Sequence, residues 1–500
     1  MIKKILLVSS NFEDIDMQGS SARLAKGGKT TEESHYPLSL AYLHAVLEKN
    51  NFDVKNLFLN NYSDDECFKK VITSIENFQP EAIGFQVLTN NRVSTFRLIE
   101  YIHKNFPNIQ LIIGGIHATI MYDQIIRKYP FVITVLGEGE ITLIELLTEL
   151  SGKKNLNQVN GIAHYYNGVI KTSPRAPIEN LDSLPWPKHE VFFENNKRGT
   201  ACILTARGCP FNCSFCCLDT ISNRRVRFRS IKNVVDEIEW LINKFPQIGK
   251  IWIQDDTFFV NNERVIEFCN EVLKRKMKKI GFICVARMKP ISPEMVDKLI
   301  ETNFIKVFLG LESANEKILK KCHKGVTQED TVRAYELFAK TDIVVKMFLI
   351  VGLPGETIET IKETIIFAKK IQKIKYFHFG EGFPLLAIFP GTEVYAIAKE
   401  GGIIDDNYWL TDMPTPIFTL EHPYSELLEY KELMLNHLSL DRAFSSWTGF
   451  KAQFTMMPQI IKYIIKNRLV VHTLSAVAFS ILSEENFLLA KKIYSKLKNK

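Results

Sequence analysis

This chain lacks any apolar run long enough to span a membrane. The longest, residues 469–482, is fourteen residues and is interrupted by His472, Thr473 and Ser475, against about twenty for a span. It also lacks a secretion signal, because the apolar run after Lys3-Lys4 stops at Ser9 and reads as a strand. These two absences set the expectation of a cytoplasmic protein. No G-x-G-x-x-G follows that strand, which argues against a dinucleotide domain. There is no general excess of one charge either. The net charge is +7, but residues 451–500 alone hold nine basic and two acidic side chains, so the remainder is neutral overall. No nucleic-acid partner is expected on that balance. The basic flanks Lys462, Lys466, Arg468 and Lys491–Lys500 border residues 469–482, and packing on the rest of the protein ranks ahead of contact with an anionic membrane for this tail.

What is present is a globular composition, 46% hydrophobic and 24% charged. Five hundred residues imply two to four domains at about 100–200 residues each. Short apolar strands at 4–9, 53–59, 82–87, 109–113 and 131–136 alternate with amphipathic segments near 37–49, 64–77, 92–105, 119–128 and 140–150. That pattern predicts a doubly wound, flavodoxin-like parallel sheet. Asn167-Gly168 predicts a hairpin turn, and Pro174, Pro177, Pro185 and Pro187 predict an extended linker. A second strand–helix series has strands at 201–206, 251–254, 280–285, 305–309, 344–351 and 375–380. Six such units predict a partial, open barrel with its chemistry at the C-terminal strand ends. The expected division is 1–155, a hairpin and proline-rich linker at 156–195, the barrel at 196–400 and a helical region at 401–500. In that last region Tyr408, Trp409, Trp447, Phe450, Met456 and Met457 read as core ahead of a substrate cavity.

Nine cysteines are present, and five fall between 202 and 217. Without a secretion signal, an odd and clustered count points to metal rather than disulfides. Cys209, Cys213 and Cys216 follow the first barrel strand with the spacing C-x3-C-x2-C. Three thiolates on one loop can hold three irons of a [4Fe–4S] cubane and leave the fourth open for catalysis. A structural zinc would want a fourth ligand, and Cys217 is poorly placed to supply it.

This motif, with Phe215 just before the third cysteine and Arg207-Gly208-Cys209-Pro210 at its start, resembles the radical S-adenosylmethionine superfamily. The downstream motifs Gln254-Asp255-Asp256, Cys284-Val-Ala-Arg287, Leu309-Gly310-Leu311-Glu312 and Val351-Gly352-Leu353-Pro354 are similar to those of one branch. The resemblance implies that the cluster's open iron takes S-adenosylmethionine and cleaves it to a 5′-deoxyadenosyl radical. It implies that Phe215 belongs to the S-adenosylmethionine site and that Asp255 and Asp256 lie near the methionyl amine. It further implies that Arg287 and Glu312 contact the carboxylate and ribose, and that Gly352 and Pro354 lie near the adenine. Gly-Leu-Pro-Gly also reads as a plain turn capping the next helix.

The N-terminal unit resembles the cobalamin domain of cobalamin-dependent radical S-adenosylmethionine enzymes. The resemblance is carried by Gly114-Gly115-x-His117 and Gly137-Glu138-Gly139-Glu140. It implies cobalamin contacts from Ser10, Gln86, Leu88, Gly114, Gly115, His117, Gly137 and Glu138. Gln86-Val87-Leu88 stands where such domains carry Ser-x-Leu near the nucleotide tail. Related domains place Asp-x-His-x-x-Gly after the first strand, but Ser9–Asp14 holds no histidine. Cobalamin is therefore expected without a histidine ligand, with His117 a hydrogen-bond donor to the corrin edge or a surface residue. The expected activity is methyl transfer to an unactivated carbon of a small molecule or natural product, with an external flavodoxin- or ferredoxin-like electron donor. Radical cyclisation or rearrangement without methyl transfer is the alternative enzyme, and a non-catalytic cobalamin sensor the alternative of another class.

Overall fold

The computed structural model describes residues 2–12, 36–152, 155–193, 199–277, 279–377, 379, 383–439, 451, 453–456 and 458–461. The expected contacts of Trp447, Phe450, Met457 and the basic tail lie outside these residues. Among the described residues, no helix is long and apolar enough to cross a membrane.

The first sheet contains β1 (Lys4–Ser9), β2 (Asp53–Phe58), β3 (Ala82–Gln86), β4 (Gln110–Gly114), β5 (Ile133–Val135), β6 (Ile162–Tyr166) and β7 (Val169–Ser173). Their order is β2-β1-β3-β4-β5-β6-β7. The first five are parallel, in the doubly wound order with its switch point between β1 and β3. β1 is buried along Ile5–Ser9 because helices cover both faces of the sheet. The segment expected as one helix at 119–128 divides into Ile116–Ile120 and Tyr122–Lys128.

The hairpin differs from expectation. Asn167 (φ +49) and Gly168 (φ +84) make the expected tight turn, but β6 and β7 are not part of a free linker. They extend the sheet antiparallel to β5. Ile162 and Ala163 are buried there, so the hairpin covers an edge that β5 would otherwise leave open.

The second sheet is parallel, with order β14-β13-β12-β11-β8. Its strands are β8 (Thr200–Ile203), β11 (Lys250–Ile253), β12 (Gly281–Ala286), β13 (Phe304–Glu312) and β14 (Val344–Leu349). A two-stranded ribbon, β9 (Ala206–Arg207) with β10 (Arg227–Phe228), stands beside its C-terminal edge. In place of the sixth expected strand, the described residues show one bridge, Phe379 to Ser439. Ile251, Ile253, Phe282, Cys284, Val307 and Leu309 face the covering helices and form core. The opposite face carries Trp252, Phe308 and Phe348, whose rings lie nearly parallel with centroids 5.7 and 5.4 Å apart. Trp252 and Phe308 come from strands separated by β12, so their contact marks this face as concave: the inside of an open barrel.

The two units share their cores. Tyr36, Leu38, Ala41 and Tyr42 pack into the barrel core, while Leu386, Ile388, Tyr395 and Trp409 pack into that of the first sheet. Trp409 is fully buried.

Candidate active site

The cysteine loop leaves β9 through Gly208. Its φ is +93°, and a Cβ there would lie 2.1 Å from the Arg225 carbonyl, so only glycine fits. The Gly208 N–H donates to Asp256 Oδ2 at 3.1 Å. Further along, Ser214 N–H donates to the Cys322 carbonyl and Cys216 N–H to that of Cys213. Burial raises the thiol pKa of Cys209 and Cys217, and takes Cys216 up to about 12. A bound cation reverses that preference by favouring thiolate. Among the described residues, no three His, Cys, Asp or Glu side chains converge as a single metal ion requires. A cubane does not need that convergence, because each thiolate takes a different iron.

Arg287 continues the concave row two residues beyond Val285. It is 6% exposed, and its Nη1 lies 3.5 Å from Cys213 Sγ. The guanidinium covers the Phe211 ring at 3.6 Å. Its Nε and Nη2 are buried without a hydrogen-bond partner. Two orphaned donors of fixed charge beside a cysteine loop suit a carboxylate ligand. A Cβ on Gly325 would sit 3.6 Å from Arg287 Nη2, which places that turn beside the same donors. Glu312 ends β13 with φ +72° and accepts a 2.7 Å bond from Lys324 Nζ, both side chains being buried. Lys324 Nζ also lies 5.8 Å from the Phe215 ring.

Other expected residues have different surroundings. Asp255 is occupied by the protein: Oδ1 accepts the N–H groups of Thr205 (2.6 Å) and Ala206 (3.2 Å), and the Thr205 hydroxyl donates to Oδ2. Burial raises its pKa to about 6 despite these donors. It therefore braces the turn from β8 to β9 and leaves Asp256 to face the cavity. Gly352 donates to Glu356 at 2.6 Å and packs on Leu427, in a buried turn with Pro354.

A cavity of about 500 Å³ joins the units. One part of its lining comes from the first sheet and helices Leu38–Lys49 and Gly139–Ser151, through Leu7, Gly84, Ile112 and Leu143. Gly114, Gly115, Gly137 and Glu138 also line it from the first unit, and Gly208 and Asp256 from the second. Gln86 and Leu88 line it, with Gln86 donating to Ser39 at 2.6 Å. Gly115 has φ +98°, and a Cβ there would meet the Val87 carbonyl at 2.8 Å.

Two residues expected at the cobalamin site have protein partners and do not line this cavity. Ser10 is buried and hydrogen-bonds Thr95 Oγ1 at 2.6 Å and the Asn91 carbonyl at 3.2 Å, away from the cavity lining. His117 is 1% exposed, bonds Thr89 Oγ1 at 3.1 Å and meets Trp409 edge-on at 5.7 Å. Burial and then the Arg92 charge lower its pKa to about 3. It packs the first sheet against the 406–410 turn; Ile116 and Thr119, on either side of it, line the cavity instead.

Glu138 lines the cavity, but its carboxylate is held by the second unit. It pairs with Arg207 at 2.8 Å and Arg227 at 2.8 Å, and accepts the Ile178 N–H at 2.7 Å. Glu140 pairs with Arg207 at 2.7 Å. Burial opposes ionisation of Glu138, but the two arginines outweigh it and hold its pKa below the usual value. Sequence reasoning assigned no role to Arg227, Glu140, Lys324 or Phe211, although Glu140 lies in the Gly137–Glu140 motif and Phe211 between Cys209 and Cys213.

Residues 203–368 match the family model of the Radical SAM superfamily, and residues 27–147 that of the B12 binding domain. The chain belongs to the cobalamin-dependent radical S-adenosylmethionine enzymes. It is 28% identical over 397 residues to an uncharacterized methyltransferase of Pyrococcus horikoshii, covering 78% of this chain and 84% of that one. It is 32% identical over 360 residues to the anaerobic magnesium-protoporphyrin IX monomethyl ester cyclase of Rubrivivax gelatinosus, covering 69% of this chain and 63% of that one. In fold it is similar to the radical S-adenosylmethionine methyltransferase TsrM from Kitasatospora setae. There the TM-score is 0.65 at 20% identity, covering 87% of this chain and 83% of that one. The cofactors of this radical S-adenosylmethionine enzyme are a [4Fe–4S] cluster, S-adenosylmethionine and cobalamin. The residues present fit them: three thiols on one loop, two orphaned Arg287 donors for a carboxylate, and a glycine-edged cavity for a corrinoid.

Proposed function

We propose that the chain is a methyltransferase acting on an unactivated carbon of a small molecule. The observation that carries this reading is the shared cavity, lined by the glycine loops of the first sheet and by Gly208 and Asp256 of the second unit. A ligand held by the first unit there faces the base of the cysteine loop. When bound, the cluster and S-adenosylmethionine supply one-electron chemistry, and cobalamin supplies methyl transfer.

The chain's own residues hold and orient. Cys209, Cys213 and Cys216 ligate the cluster, and Arg287 binds the S-adenosylmethionine carboxylate through Nε and Nη2. Lys324 fixes the Glu312 carboxylate for a polar contact, with Phe215 alongside. Asp256 holds Gly208, and so sets where the cysteine loop starts. We assign the corrinoid to residues 1–155 and radical chemistry to 196–400. The hairpin at 162–173 belongs with the first sheet, and the proline-rich stretch after it forms the connection. The substrate lies against the concave row of Trp252, Phe308 and Phe348, on the face that Arg287 continues. Phe348 is 43% exposed on that row. A flavodoxin- or ferredoxin-like protein delivers the electron.

The test is anaerobic turnover of the cluster-loaded, corrinoid-loaded chain with S-adenosyl-[methyl-d3]methionine and candidate small molecules. A product carrying the trideuteriomethyl group supports methyl transfer. A product that has lost two hydrogens and carries no deuterium overturns it in favour of ring formation.

A further inference from the structure

We propose that Arg207 is a positioning residue that couples occupancy of the corrinoid cavity to the cysteine loop. The proposal rests on the reading of that cavity as the corrinoid site. Arg207 lies two residues before Cys209, on β9. Its two terminal nitrogens are divided between separate carboxylates: Nη1 to Glu138 Oε1 at 2.8 Å and Nη2 to Glu140 Oε1 at 2.7 Å. Both carboxylates belong to the other unit, Glu138 at the N-cap and Glu140 in the first turn of helix Gly139–Ser151, and both line the cavity. A guanidinium can hold two acceptors in fixed directions, whereas an ammonium cannot reproduce that fork.

The ribbon needs this partner. Arg207 and Arg227 stand directly opposite each other across β9 and β10. Like charges in that position repel. Glu138 lies between them, accepting from Arg207 Nη1 and from Arg227 Nη1 and Nη2 at 2.8–3.0 Å. Side-chain exposure of the four charged groups is 6–19%, so solvent screens them little. The Arg207 guanidinium also lies 4.9 Å from the Tyr42 ring, on a helix that lines the cavity. Gly208, the single residue between Arg207 and Cys209, is held by its N–H on Asp256 Oδ2 at 3.1 Å and packed against the Arg225 carbonyl, so it has little room to absorb a displacement of Arg207 before that reaches Cys209. A ligand that settles the Gly137–Glu140 loop therefore settles the cysteine loop without touching its outer residues.

Hydrogen exchange on the cluster-loaded full chain, with and without hydroxocobalamin, tests this. The reporters are the Ser214 and Cys216 amides, which lie outside the cavity lining. Hydroxocobalamin is expected to slow their exchange about tenfold in the unaltered chain. That protection should disappear in both Arg207→Lys and Arg207→Ala, while protection of residues 112–119 persists. Equal protection of Ser214 and Cys216 in Arg207→Lys and in the parent overturns the proposal. If either Arg207 variant fails to fold, Glu140→Ala, which removes the acceptor of one arm of the fork, should still halve the protection or more; full protection there overturns it. Failure of hydroxocobalamin to bind the unaltered chain overturns the corrinoid reading itself. A second readout is the relaxation of cob(II)alamin by the reduced cluster in electron paramagnetic resonance. It should weaken in Arg207→Lys at equal cluster and corrinoid content, which a loss of global stability alone would not produce.

Discussion

Arg287→Met should separate stability from ligand affinity. In the cofactor-free chain the guanidinium is 6% exposed, and two of its three nitrogens have no partner. An unsatisfied buried donor costs about 1–3 kcal/mol, so the pair costs about 2–6 kcal/mol. Stacking on Phe211 at 3.6 Å returns about 2 kcal/mol. Methionine has similar reach, and its sulfur keeps about 0.3–1.5 kcal/mol of contact with that ring. The cofactor-free variant should thus be as stable as the parent or more stable by about 2 kcal/mol, on the difference between those terms. Binding moves the other way. Two charge-assisted hydrogen bonds to the S-adenosylmethionine carboxylate are worth about 1.5–3 kcal/mol each. Losing both should weaken affinity by at least about 100-fold. Urea unfolding of the cofactor-free chains gives the first quantity, and anaerobic equilibrium dialysis of the cluster-loaded chains the second. A variant that binds S-adenosylmethionine as tightly as the parent, or whose cofactor-free form loses more than about 3 kcal/mol, would refute the assignment of those nitrogens.

Replacing Cys209, Cys213 and Cys216 together by Ala should abolish iron and labile sulfide binding after reconstitution, while Cys217→Ala should keep both. A reducible cluster surviving the triple change would show that the ligands lie elsewhere. Glu356 is buried, and its pKa rises from 4.5 to about 8. The folded state therefore holds this proton more tightly than the unfolded state. Its contribution to stability is complete below pH 4.5 and is lost as pH climbs toward 8, at no more than about 1.4 kcal/mol per pH unit. Glu356→Gln can still accept the Gly352 N–H and does not ionise, so its melting temperature relative to the parent should be higher at pH 8.5 than at pH 6. A constant difference across that range would rule out a proton on Glu356.

Local pattern determined the backbone. The apolar run of β1, the Asn167-Gly168 turn and the amphipathic helices each act over a few residues, so their signals survive without tertiary context. The cysteine loop was legible for the same reason: its three cysteines lie within eight residues. Motifs at successive strand ends located Arg287, Glu312 and Asp256, because strand and helix periodicity places strand ends on one rim. Which partner each polar group takes was decided by packing. Glu138 looked like a ligand contact beside its glycines, but the barrel presents Arg207 and Arg227, which lie 69 and 89 residues away. His117 stands in a glycine motif, yet it is buried against Trp409, which lies 292 residues further along the chain. Asp255 and Asp256 are adjacent and alike in sequence, yet in the loop after β11 one bonds Thr205 and the other Gly208 beside the cavity. Composition and spacing determine which groups a segment carries. Only the tertiary structure sets their separations and solvent exposure, and the energy of a charge or hydrogen bond depends on both.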